Sequence, residues 1–165
     1  MTKLLHITGL LYVIMAFGVL ATPNHPPLIE RQFQHIRENS NLSTPILPVA
    51  VIRTDSTTIN HMYCKATRCK PSPLALSYNG KIYINKDINL STPYGESLLY
   101  HELVHVAQYH TRGNAKDCYD WQERERTAYM LQWKWNDKHS IDNTEVELML
   151  KYVSSNEMYT KCLTH

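Results

Sequence analysis

Two histidines, His101 and His105, enclose Glu102-Leu103-Val104 in the pattern H-E-x-x-H. On a helix, four residues at about 100° each return the second imidazole to within about 40° of the first. Both rings can then reach one divalent cation. Glu102 falls on the adjacent edge of that face, better placed for a water than for the ion. A carboxylate there can take a proton from cation-bound water and hand it to a leaving group. The plainer reading of the same five residues is a helix with two surface histidines and an exposed glutamate between them.

Two imidazoles do not complete a hydrolytic site, which needs three protein donors and one open position. The stretch Trp121 to Tyr129 supplies two carboxylates, Glu123 and Glu125. They lie about 200° apart round a helix, so both cannot bind the same ion. Glu125 is the preferred third ligand and Glu123 the alternative. Glu125, Ala128 and Gln132 share one face, and the small Ala128 would let two helices approach closely. Taken alone, the run with Arg124 and Arg126 reads as a solvated acidic–basic face.

These groups need elements to hold them. The spacing of Leu28, Ile29, Phe33 and Ile36 predicts a first helix over Leu28 to Glu38. Val49 to Arg53 reads as a strand, and Thr57 to Tyr63 as a second, weaker one. Leu74 to Tyr78, Asn79-Gly80 and Lys81 to Asn85 form the clearest hairpin, because Asn-Gly accepts the positive φ of a tight turn. From Thr92 the period becomes helical. Thr92 can cap, Pro93 suits the first helical position, and Glu96 suits the first turns. That helix should run to about His110, with Leu99, Leu103, Val106 and His110 on its buried stripe. Further helices are expected over Asp117 to Asp137 and Asn143 to Tyr152. Helix, small sheet, then helices is an α+β order.

The chain has 165 residues, room for one domain. With 17 basic against 15 acidic residues and no basic run, nucleic acid is excluded as a partner. Lys3, the apolar stretch Leu4 to Leu20 and the small Ala21 resemble a signal peptide over residues 1–21. One domain over 22–165 then remains, with no membrane span in the mature chain and an exported (periplasmic or secreted) location. An uncleaved N-terminal membrane anchor is the alternative. The four cysteines, Cys64, Cys69, Cys118 and Cys162, fit an oxidising compartment. Pairs Cys64–Cys69 and Cys118–Cys162 are favoured among three connectivities.

The combination of H-E-L-V-H-V-A-Q, His101 to Gln108, with E-x-x-A-Y, Glu125 to Tyr129, resembles the minimal gluzincins, the minigluzincin-like exported zinc metallopeptidases. The resemblance covers roughly residues 74–135. It implies a zincin-like fold, in which a small, mostly antiparallel sheet precedes an active-site helix and a Glu-ligand helix. It also implies Zn2+ on His101, His105 and Glu125, catalysis by Glu102, and a peptide or protein substrate. By the same comparison Lys81 to Asn85 would be the edge strand, with Lys81, Ile82, Tyr83 and Ile84 binding substrate by strand addition. Thr127 stands where the commoner E-x-E-A form has a second glutamate. The alternative is a catalytically inactive zinc-binding or interaction module on a zincin scaffold. Tyr129, His139 and Tyr152 are the first candidates for an oxyanion stabiliser. His25, His35, His61 and His165 read as exposed polar residues.

Overall fold

Asn79 and Gly80 both take positive φ, 49° and 72°, in the computed structural model, as a two-residue hairpin turn requires. The structure describes residues 26–46, 48–64 and 73–155. The expected leader, His25, Cys69, Cys162 and His165 lie outside the described residues. The elements run α1 (Pro26–Asn39), β1 (Val51–Thr54), α2 (Ser56–Cys64), β2 (Ala75–Tyr78), β3 (Lys81–Asn85), α3 (Pro93–Arg112), α4 (Cys118–Lys138) and α5 (Thr144–Val153). The fold is α+β, as the sequence order implies.

The sheet departs from expectation in two ways. Its order is β1-β3-β2, with β3 antiparallel to β2 but parallel to β1, so it is mixed rather than mostly antiparallel. β3 is therefore the central strand. Ile82 N–H donates to Ala50 O at 2.9 Å on one side, and Asn85 N–H donates to Leu74 O at 2.9 Å on the other. Ile82 and Ile84 are fully buried. The expected substrate edge at Lys81, Ile82, Tyr83 and Ile84 is thus corrected: pairing on both sides leaves no open backbone there. Among the described residues the outer strands are β1 and β2, and β2 is the strand that packs most closely on α3.

Residues 57–63 are helical, not a strand. Asp55 explains the difference: its Oδ1 accepts from Thr58 N–H at 2.7 Å, capping α2. Ile59 is fully buried on this helix.

α3 begins as the sequence indicates. Thr92 is extended, and its hydroxyl accepts from Gly95 N–H at 3.2 Å, ahead of Pro93 in the first turn. Leu99, Leu103 and Val106 are buried and join Ile82, Ile84, Leu131 and Trp135 in one core. Each fully buried leucine contributes about 1.5–3 kcal/mol. His110 is exposed, so the buried stripe ends before it.

α1 is pinned to α3 by polar contacts. Gln32 Nε2 donates to Glu96 O at 2.8 Å, and His35 Nδ1 lies 2.8 Å from Tyr100 Oη. His35 is buried, with its ring edge-on to Tyr100 and Trp135, which corrects its assignment as a surface residue. Burial, with Lys138, His139 and Lys134 nearby, holds its pKa below the ordinary imidazole value. His61 is exposed, as expected.

Gly95 sets how closely α3 meets the preceding loop. A Cβ there would lie 2.1 Å from Asn89 O and 2.9 Å from Leu90 Cα, both backbone atoms that cannot swing away. Gly95→Ala should therefore lower stability by about 1–3 kcal/mol, the range for overpacking. Urea unfolding of the purified chain checks this; an unchanged midpoint would remove the close contact from the account.

Candidate metal centre

His101 and His105 sit one turn apart on α3, and Glu125 approaches them from α4. His101 Nε2 and His105 Nε2 are 3.0 Å apart. Glu125 Oε2 is 3.5 Å from His101 Nε2, and Glu125 Oε1 is 3.3 Å from His105 Nε2. Nitrogen and oxygen donors at about 2.0–2.1 Å from a tetrahedral cation would be ~3.3 Å from one another. The three donors thus have the mutual spacing that a small cation requires. Among the described residues this is a His–His–Glu group able to hold a metal ion.

Close approach of the two helices makes this convergence possible. Ala128, one turn beyond Glu125, is fully buried in the core that both helices share. Glu123 points elsewhere and forms an ion pair with Arg126 at 2.5 Å. Thr127 Oγ1 bonds back to Glu123 O at 2.8 Å, within its own helix. The geometry thus gathers Glu125, not Glu123.

The charges in the group are mutually dependent. Burial opposes ionisation of Glu125, but His105 and His101 outweigh it and hold the carboxyl far below its ordinary range. Burial likewise lowers His105, but the charge and hydrogen bond of Glu125 overcome it and raise the imidazole to about 9.

Glu102 is only 5 % exposed and is not one of the three gathered donors. Burial raises its pKa; His101 and His105 oppose that shift, and Glu125 adds to it. Its Oε2 is buried with no hydrogen-bond partner among the described residues. An unpaired buried acceptor costs about 1–3 kcal/mol, which a water would relieve. Glu102 and the three donors line one cleft of about 1030 Å³, which β2 also borders.

Sequence reasoning missed several participants. Tyr63, half exposed on α2, lines the cleft. Burial, then Glu125, Tyr152 and Glu102, push its phenol up to about 12. The helix cap at Asp55 was the signal that could have placed it. Tyr129, an expected candidate, does lie at the group, with its ring centroid 4.3 Å from that of His101. Burial, then Glu125 and Glu102, hold it well above the ordinary phenol value. His139 instead stacks on Trp135 at 3.7 Å and does not line the cleft. Tyr152 is half-buried on α5.

Arg124 is buried rather than solvated. It pairs with Asp120 at 2.9 Å and donates to Gly113 O at 2.6 Å and Asn114 O at 3.2 Å, tying the α3–α4 loop to α4. Gln108 and Gln132 are also buried, each beside one histidine. His105 Nδ1 lies 2.9 Å from Gln108 Oε1, and His101 Nδ1 lies 3.0 Å from Gln132 Oε1. Cys118, at the start of α4, is disulfide-bonded. Its favoured partner Cys162, Cys69 and the side chain of Cys64 lie outside the described residues, so the pairing is not described.

In comparisons with known proteins, no family model, curated protein or solved structure matches this chain.

Two outcomes follow from the donor set. Glu125→Gln should weaken metal affinity by more than about 100-fold, beyond what loss of an outer partner produces; competition against a chromophoric chelator measures it. A cation must also displace the proton on His105, so apparent affinity should rise from neutral pH to about 9 and then level off. A flat profile over that interval would contradict the His105–Glu125 pairing.

Proposed function

We propose that this protein is an exported zinc metallopeptidase of the gluzincin type, with His101, His105 and Glu125 as zinc ligands and Glu102 as general base. The observation that carries this reading is the position of Glu102. Its unpartnered Oε2 is buried in the cleft that the His–His–Glu group lines. Two imidazoles and one carboxylate are a donor set suited to Zn2+, with one position left for water.

Zinc, when bound, supplies a Lewis acid that acidifies water and polarises a carbonyl. The rest belongs to the chain. Glu102 Oε2 accepts a proton from the attacking water as its oxygen bonds to the peptide carbonyl carbon. The protonated Glu102 then gives that proton to the departing amine nitrogen as the C–N bond breaks. Burial raises the Glu102 pKa, which makes its carboxylate a stronger base towards water than an exposed one. Tyr129 and Tyr63 stay neutral phenols at working pH and can donate hydrogen bonds into the cleft.

The substrate cradle moves from β3 to β2. β2, an outer strand among the described residues, borders the cleft, so an extended peptide would lie along it beside Ser77, whose backbone N–H donates to the Glu102 carboxylate. A disulfide at Cys118 fits an oxidising location outside the cytosol. No helix among the described residues is long and apolar enough to cross a membrane.

The decisive comparison is zinc-loaded wild type against Glu102→Gln on a broad peptide library. Wild type should cleave, and the variant should keep its metal but lose about 10²–10⁴-fold in rate, the share a general base supplies. Equal rates would remove Glu102 from the mechanism. A zinc-loaded wild type that cleaves no peptide would favour an inactive zinc-binding module instead.

A further inference from the structure

The two glutamines beside the histidines are built alike, although they sit on different helices. Gln132 of α4 is 7 % exposed and Gln108 of α3 is 1 % exposed. Gln132 Nε2 donates to Ser97 Oγ at 2.9 Å and to Ser97 O at 3.2 Å. Gln108 Nε2 donates to Arg124 O at 2.9 Å. Each amide therefore spans the α3–α4 interface, with its nitrogen on a backbone carbonyl and its oxygen on an imidazole.

That arrangement fixes proton positions by elimination. A backbone carbonyl oxygen can only accept, so the group facing Arg124 O or Ser97 O must be the amide nitrogen. The other end, facing the histidine, is then the carbonyl oxygen, which also only accepts. The ring nitrogen opposite it must donate. His101 and His105 thus both carry hydrogen on Nδ1, and both direct Nε2 towards Glu125 and the space between them.

We propose that Gln108 and Gln132 are positioning residues that hold both histidines in the Nδ1–H tautomer and so present two Nε2 donors to a single cation. The tautomer is set by main-chain carbonyls of the scaffold, through neutral amides. The anchor of Gln108 is the carbonyl of Arg124, the residue before Glu125, so one link orients His105 and holds the helical turn that brings in the third ligand. This inference rests on the His–His–Glu group being a zinc site, but not on catalysis.

Glutamate substitution separates positioning from simple attachment of the helices. A carboxylate keeps the acceptor for Nδ1–H but loses the donor to Arg124 O or Ser97. Zinc affinity is measured by chelator competition, with Zn2+ itself as the probe, for wild type, Q108L, Q132L, Q108E and Q132E. The two leucine substitutions should each weaken Zn2+ binding by about 10–100-fold, the usual cost of an outer hydrogen-bond partner. The two glutamate substitutions should hold affinity at the wild-type level or tighten it, even where urea shows the fold to be weakened. If Q108E and Q132E lose as much affinity as the leucine chains, or if the leucine chains lose none, the glutamines only join the helices and the proposal is overturned.

A second measurement needs no variant. Long-range 1H–15N spectra of histidine-labelled, zinc-loaded wild type should show hydrogen on Nδ1 of both rings. Hydrogen on Nε2 of either ring, in a chain that binds Zn2+ normally, would sink this inference and leave the metal site standing. Failure of wild type to bind Zn2+ would instead bring down the site assignment, and this inference with it.

Discussion

Glu125 carries a carboxylate from α4 into a wall of α3 that already holds two imidazoles and the carboxylate of Glu102. Removing an ion from water costs several kcal/mol, so a buried charge survives only where opposite charge or hydrogen bonds meet it. Here His101 and His105 meet Glu125 within 3.5 Å. Everything near this contact serves to keep it in register. Ala128 keeps the interface narrow, Arg124 fastens the loop before it, and the two buried glutamines bridge the helices on either side. A shift of one residue along α4 would exchange Glu125 for its neighbours and leave the imidazoles facing no carboxylate.

What was legible in the sequence is what a single helix or turn decides. Spacing alone puts His101 and His105 on one face, and Thr92-Pro93 opens α3 within a residue of the expected start. Asn79-Gly80 gave the hairpin for the same reason, since few residues accept its backbone angles. Choosing Glu125 over Glu123 was also local, because only Glu125 shares a face with Ala128 and Gln132.

What escaped depends on contacts distant in sequence. Nothing in the string Lys81 to Asn85 says that β1 will pair along its other side, with Val51 opposite Ile82. His35 looked like a surface histidine because its partner Tyr100 is 65 residues away. Arg124 read as solvated because its carbonyl partners come from a loop whose path only the folded chain defines. α2 escapes for a different reason: Thr57, Thr58 and Ile59 favour strands, and the cap from Asp55 outweighs them.

The mixed sheet has a consequence for the length of chain that each contact closes. β2 and β3 are joined by a two-residue turn, and α3 and α4 by a short loop, so both walls of the cleft can close through nearby contacts. Hairpins of this kind form in about 1–10 μs. β1 and α1, by contrast, meet their partners across long stretches of chain, as between Val51 and Ile82 or Gln32 and Glu96. Distant pairings carry the larger loop-closure entropy. The half of the molecule that bears the chemistry thus rests largely on shorter-range contacts, whereas the N-terminal elements are held by longer-range ones.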